Sequence, residues 1–416
     1  MKKNFDVIIS GAGPSGSLLG YLLSKKNISS LILEKEVFPR YKVCAGGIQW
    51  KALQFLPYNI NEIIEKKIYG IYFARRLKDI FYKKYSEPLI YTFERAKLDD
   101  FMAKKALESG CSINFSEKIK NFEISENEVK VWTQKDIYFS KILVGADGAS
   151  SIIYKKLNKD TKLQKIVGYE TEIPLNHESS YPLSDESVVL DFGGVKKGYV
   201  WIFPKNSNLS IGGGGPVRDA LNIKKYLEWF LQNYHGKLDK NFNTPGRHSL
   251  FNSKSSKIEK KENRFIKQVQ TDGTEAGFQN LNKLNAHFIP VRSDKTFLCD
   301  YRVLSVGDAA GLGDAFTGEG IHNALLSSII ASDSISSAFS GFNFNFSDYR
   351  EKINSDIYAN IKNSMLISKI FFSSPYFYYK LIKSNDNLFN SCAKILRGEK
   401  KYSDVLNKLK LIKIRY

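Results

Sequence analysis

At 416 residues, 43% hydrophobic and 25% charged, the chain is long enough to bury one large or two ordinary cores and is not composed like a disordered or fibrous protein. Its formal charge of +19 owes much to scattered lysine and reads as a solvated surface or as attraction to anionic lipid; without a nucleic-acid module or a dense arginine-aromatic array, nucleic acid is not among the expected partners. Cys44, Cys111, Cys299 and Cys392 have no metal-ligand spacing, no apolar run reaches the ~18–20 residues of a membrane span, and the first strand begins too early to leave room for a signal peptide.

Phe5 to Ser10 is an apolar strand that runs into Gly11-Ala-Gly-Pro-Ser-Gly16 and a helix. Gly11 and Gly13 permit a tight turn against a pyrophosphate, and Gly16 lets helix and strand approach closely. Glu34 closes the apolar strand from Ser30, where a carboxylate accepts from an adenosine ribose. These features predict a bound dinucleotide. A loop rich in special residues follows, from Val37 to Gly47. A helix is expected over Leu98–Ser109, with strands near Ser112–Phe115 and Glu128–Thr133, then a buried strand from Ile142 into Ala146-Asp147-Gly148.

The pattern then changes to alternating segments at Ile166–Ile173, Ser187–Gly193, Tyr199–Pro204 and Leu209–Gly213, which predict a mainly antiparallel sheet. Residues 252–288, rich in Lys, Asn, Gln and Ser, read as a surface excursion. Val303–Asp308 returns to strand and turn, and a helix is expected over Gly318–Phe339. Apolar and basic stretches alternate from Phe342 onward, with Pro375 interrupting any continuous helix. The fold class expected is α/β: a discontinuous Rossmann-like domain (1–65, 90–165 and 290–340), an inserted mixed or antiparallel β-sheet substrate domain (66–89 and 166–289) and a mainly helical C-terminal region (341–416).

Four segments together resemble the geranylgeranyl reductase family of FAD-dependent oxidoreductases, within the aromatic-hydroxylase-like flavoproteins. They are Gly11–Gly16 with Glu34; Ala146-Asp147-Gly148; Gly307-Asp308 to Gly311 leading into Thr317-Gly-Glu-Gly-Ile321; and Tyr199–Lys205 followed by Ile211-Gly-Gly213. The resemblance implies FAD as cofactor, contacted by Gly11, Gly13, Pro14, Ser15, Gly16, Glu34, Arg40, Cys44, Ala45, Gly46, Arg95, Asp147, Asp308, Gly318, Gly320 and Ile321. Asp147 has the alternative of serving turn amides, Arg40 and Arg95 that of salt bridges, and Glu319 that of a helix-capping carboxylate. The family often has proline where this chain has Ala315.

By the same resemblance, reduced flavin gives hydride from N5 to one carbon of an isolated prenyl alkene while a proton reaches the other. Cys44, in Lys42-Val-Cys-Ala-Gly-Gly47, matches a family cysteine close to the flavin; it is the catalytic candidate with Tyr199 and Trp201, against a reading as small-residue packing. Gly47, Tyr199, Trp201, Phe203 and Gly213 are expected to line the prenyl pocket, the aromatics also fitting an ordinary sheet core. No metal is expected from the scattered histidines.

Expected partners are a prenylated lipid or prenyl diphosphate and an electron donor such as NAD(P)H, ferredoxin or a quinol-linked donor. A monomeric, cytoplasmic protein is expected, peripherally associated with the inner face of the cell membrane through its basic, aromatic tail. A flavin monooxygenase or halogenase, and a noncatalytic FAD- or lipid-binding protein, are the competing readings.

Overall fold

The strand Lys3–Ser10 lies at the centre of an eight-stranded sheet, parallel to Ile137–Gly145 on one side and Ser30–Leu33 on the other, with Val7 opposite Ile142 and Ser30. This computed structural model describes residues 3–159, 163–175, 186–241, 284–294 and 296–413. The sheet runs Cys299–Asp300, Val303–Ser305, Ile137–Gly145, Lys3–Ser10, Ser30–Leu33, Ser112–Asn114, and the hairpin of Ile119–Ile124 and Val129–Thr133 joins Ile137–Gly145. Alternate residues of the central strand serve two layers, as the period of two demands. Val7 and Ile9 pack with Leu19, Leu23, Ile330 and Ile335 from the helices, whereas Ile8 packs with Val129, Val131 and Leu143.

The helix Pro14–Lys25 starts with proline at its first position, where a missing N–H costs nothing. Arg95–Glu108 begins three residues before the expected start, and Ile321–Gly341 begins three residues after it. The later start has a local cause. Gly318 has φ +71°, outside the helical region, and the Glu319 carboxylate accepts the His322 N–H at 2.6 Å, so the first turn is capped from just outside.

A seven-stranded sheet runs Asn285–Val291, Gln164–Pro174, Asn208–Pro216, Tyr199–Pro204, Ser187–Phe192, Gly70–Arg75, Lys78–Lys84. It is antiparallel apart from the pairing of Ser187–Phe192 with Gly70–Arg75. One face packs Val200, Ile202 and Ile211 against Ile223, Leu227 and Phe230 of the helix Ala220–Asn241. Asn285–Val291 is the edge strand, so the last part of the expected surface excursion is sheet; residues 252–283 lie outside the described residues. Gly47–Gln49, Ile90–Thr92 and Lys66–Ile68 form a small third sheet.

Pro375 ends the helix Ala359–Ser373 and starts Pro375–Ser384. Phe371, Tyr378, Tyr379 and Phe389 pack against Ile71, Phe73 and Val188, so much of the apolar content of the tail closes the core of the seven-stranded sheet. Leu366, Tyr376 and Phe377 stay exposed. Among the described residues, no helix is long and apolar enough to cross a membrane.

Candidate active site

A cavity of about 390 Å³ lies where the glycine turn of the first sheet meets the aromatic strand of the second. Its wall takes Gly13, Pro14 and Ser15 from the turn, Lys42 to Ala45 and Gly47 from the special loop, and Ala146 and Gly148 from the end of a sheet strand. Asp308 and the segment Ala315–Ile321 form another side, and Tyr199, Trp201 and Phe203 a third.

The glycine turn is built for close approach. A Cβ on Gly16 would stand 1.9 Å from the Gly11 carbonyl oxygen, so only glycine lets the helix start beneath the strand end. At Gly13 a Cβ would meet nothing within 4 Å, which leaves an open cradle over the amides of the helix N-terminus. Glu34 is buried, and accepts the Ala12 N–H at 2.7 Å and the Glu36 N–H at 3.0 Å. It therefore braces the turn itself. Asp147 accepts the Ile152 N–H at 2.9 Å, but its Oδ1 is buried without a partner and burial raises its carboxyl. The open cradle over the helix amides fits the diphosphate of FAD, which Gly13, Pro14 and Ser15 would hold.

Charged groups in and behind the cavity wall are paired. Arg95 grips Asp99 with two bonds, Nε to Oδ1 at 3.1 Å and Nη2 to Oδ2 at 3.0 Å, and Arg40 pairs with the same carboxylate at 2.9 Å. Arg95 lines the cavity, whereas Arg40 is outside its wall, in the salt-bridge role. Asp308 faces His287 at 3.9 Å. Burial would raise its carboxyl, but His287, Lys42 and Arg95 hold it below its ordinary value. Burial and Arg95 pull Lys42 down. Glu319 is pushed up to about 7, chiefly by burial.

Cys44 sits in this wall with its sulfur accepting the Gly46 N–H at 3.4 Å and in contact with Arg95. Its loop is fastened to the second sheet by the fully buried Glu170. That carboxylate accepts the Cys44 N–H at 3.3 Å, Tyr41 Oη–H at 2.8 Å and Ser210 Oγ–H at 2.9 Å. Gly46 packs beside Phe93 and Lys205, outside the cavity wall, as are Gly11, Gly16, Glu34 and Asp147.

Strand alternation puts Val200 and Ile202 in the core and turns Tyr199, Trp201 and Phe203 to the cavity. Trp201 lies opposite Gly212, where a Cβ would come within 2.2 Å of its ring, so the small residue makes room for the indole. Tyr199 donates its hydroxyl to the Thr317 carbonyl. Gly213 is the exception among the expected pocket residues: a Cβ there would point at Val200 and Ile223, on the helix-covered face. Its neighbours Gly214 and Gly215 line the cavity instead.

Gly318, Gly320 and Ile321 are in the wall, together with several residues that local pattern did not mark for it. His287 and Ile289 come from the edge strand, and Ser368 and Leu396 from the C-terminal helices. The apolar context of Leu396 is that of any packed helix, so its sequence carries no signal of this role.

Residues 4–210 match the family model of the FAD binding domain. The digeranylgeranylglycerophospholipid reductase of Methanococcus vannielii is 24% identical over 414 residues, covering 94% of this chain and 90% of that protein. A geranylgeranyl bacteriochlorophyll reductase-like structure from Thermoplasma acidophilum superposes with TM-score 0.71 at 18% identity, over 99% of each chain. The flavin-dependent brominase Bmp2 superposes with TM-score 0.69 at 17% identity, over 100% of each chain. These likenesses establish the fold, and the FAD-binding match identifies the chain as an FAD-dependent oxidoreductase, similar to proteins named as geranylgeranyl-type reductases.

Proposed function

We propose that this protein saturates isolated carbon–carbon double bonds in the geranylgeranyl or other polyprenyl chain of a lipid or isoprenoid substrate. The observation that carries the reading is the composition of one cavity. At one end stand amide-rich turns, and at the other Ile71, Ile90, Val188, Leu190, Phe316 and Leu396 join the aromatic strand in an apolar wall. Burial along such a wall supplies ~25 cal/mol per Å² of prenyl surface and holds the chain without recognising any polar group on it.

FAD, when bound, supplies a hydride for one alkene carbon. The protein has the remaining tasks. Tyr199, Trp201 and Phe203 orient the chain and keep water from it, and orientation matters because an isolated alkene is poorly polarised. The Cys44 thiol holds the proton for the second carbon. Arg95, in contact with that sulfur, stabilises the charge left when the proton departs. The backbone amides opening the helix Ile321–Gly341 present partial positive charge to the cavity.

Lys205 gives the halogenase reading no support. Its side chain is 1% exposed, its Nζ donates to Glu172 at 2.5 Å, and it is outside the cavity wall. The exposed Leu366, Tyr376 and Phe377 beside lysines support peripheral contact with an anionic membrane. The test is anaerobic turnover with chemically reduced FAD and a prenyl diphosphate or prenylated lipid. A product heavier by two hydrogens per saturated bond is expected. A product that forms only with oxygen, or binding without turnover, overturns the proposal.

A further inference from the structure

A second cavity, of about 490 Å³, shares no wall residue with the first. It lies between the segment Arg292–Cys299 and the C-terminal stretch that runs through the π-helical turn Ile353–Tyr358 into the helix Ala359–Ser373. Its wall includes Arg292, whose side chain is only 3% exposed. Arg292 Nη2 donates to the Thr296 carbonyl at 3.3 Å, and the guanidinium stacks 4.4 Å from the centre of the Tyr358 ring. Nε and Nη1 are buried with no hydrogen-bond partner. Asp294, the sole carboxylate among the described wall residues, is engaged by Lys362 at 2.7 Å.

An arginine buried this deeply, with no direct salt bridge among the described residues, is costly, and native proteins rarely leave such donors unmet. Among the described residues Arg350 and Lys362 complete three cations against one carboxylate in the wall, and Asn354 adds an amide. The guanidinium fork suits an oxyanion, and the surplus of positive charge favours one with more than a single negative charge. The space exceeds that of a bare ion.

We propose that this cavity is an anion site for a phosphate group, with Arg292 as its buried anchor and Arg350 and Lys362 as its outer cations. Free phosphate and a phospholipid headgroup share the chemistry. Phe297, 58% exposed in the wall, offers an apolar contact that only the lipid would use. The inference stands apart from the reductase reading, since it uses none of that cavity's residues.

The experiment uses the FAD-loaded protein, so that the phosphate cradle at Gly13–Ser15 is already filled, with flavin absorbance as the check. Thermal unfolding is followed against inorganic phosphate at constant ionic strength, and flotation against vesicles of phosphatidylglycerol or of phosphatidylcholine. A saturable rise of Tm with phosphate that Arg292→Met abolishes establishes the site with free phosphate as ligand. Flotation with phosphatidylglycerol vesicles that Arg292→Met abolishes, without a phosphate response, assigns it to a headgroup. Arg292→Lys keeps the charge and loses the fork, and weakens either response ~10-fold. Arg350→Gln weakens it too, and serves if the Met variant fails to fold. Responses equal in wild type and variants, or absent from both assays, overturn the proposal.

Discussion

The backbone N–H of Ala315 donates to Ser364 Oγ at 3.2 Å, tying the turn before the helix Ile321–Gly341 to the C-terminal helix Ala359–Ser373. The family resemblance leads one to expect proline at this position, which has no N–H to give. Ser364 is fully buried, and its hydroxyl donates onward to Ile361 at 3.0 Å. The departure from the family pattern therefore comes with a contact that proline forbids.

Ala315→Pro and Ser364→Ala are each expected to cost ~1 kcal/mol of stability, the net worth of one such bond. Combined, they should cost less than the sum, because the shared Ala315–Ser364 bond can be lost only once. Urea unfolding of the double-mutant cycle measures this. Strict additivity would mean that the two groups do not interact.

Gly16→Ala forces a methyl group to within 1.9 Å of the Gly11 carbonyl and must open the turn. The variant is expected to purify with little or no flavin, read from its absorbance, while circular dichroism retains the helix and strand content.

Cys44→Ala should keep FAD and lose ~100-fold or more in the alkene half-reaction, the lower range for a positioned general acid. Single-turnover reduction of a prenyl substrate distinguishes this from a binding defect. An unchanged rate would return Cys44 to a packing role.

Asp191 gives a pH signature away from the cavity. It is fully buried, accepts the Leu77 N–H and Tyr226 Oη–H at 2.7 Å each, and burial pushes its carboxyl up to about 6. Because the folded value exceeds the ordinary 3.8, the folded state holds the proton more tightly between pH 4 and 6. The associated stability is full below about pH 4 and is lost as pH rises through 6. Asp191→Asn stays neutral throughout, so relative to wild type it should gain up to ~3 kcal/mol between pH 4 and 7. Urea midpoints at the two pH values test the difference, and a constant gap refutes it.

Much of the flavin side was legible because its parts are local. The turn Gly11–Gly16 and the period-two segments Gln164–Pro174 and Tyr199–Pro204 announce themselves through residue types a few positions apart. The start of the helix Ile321–Gly341 was misplaced because a glycine with positive φ and a capping glutamate look helical in composition. Gly213 went to the wrong face because a run of four glycines gives no alternation to read. His287, Ser368 and Leu396 reach the cavity through tertiary packing, and no short-range pattern encodes that. The pairing of Arg40 with Asp99 is decided by how a helix docks against the loop, which no local pattern shows.

Ser368 and Leu396 wall the same cavity as Gly13–Ser15, and this orders the birth of the molecule. The nucleotide turn leaves the ribosome long before Leu396, and the chamber cannot close until Leu396 has emerged and its helix has docked. A nascent chain thus carries half a pocket, with Tyr199, Trp201 and Phe203 uncovered, until Leu396 has been made.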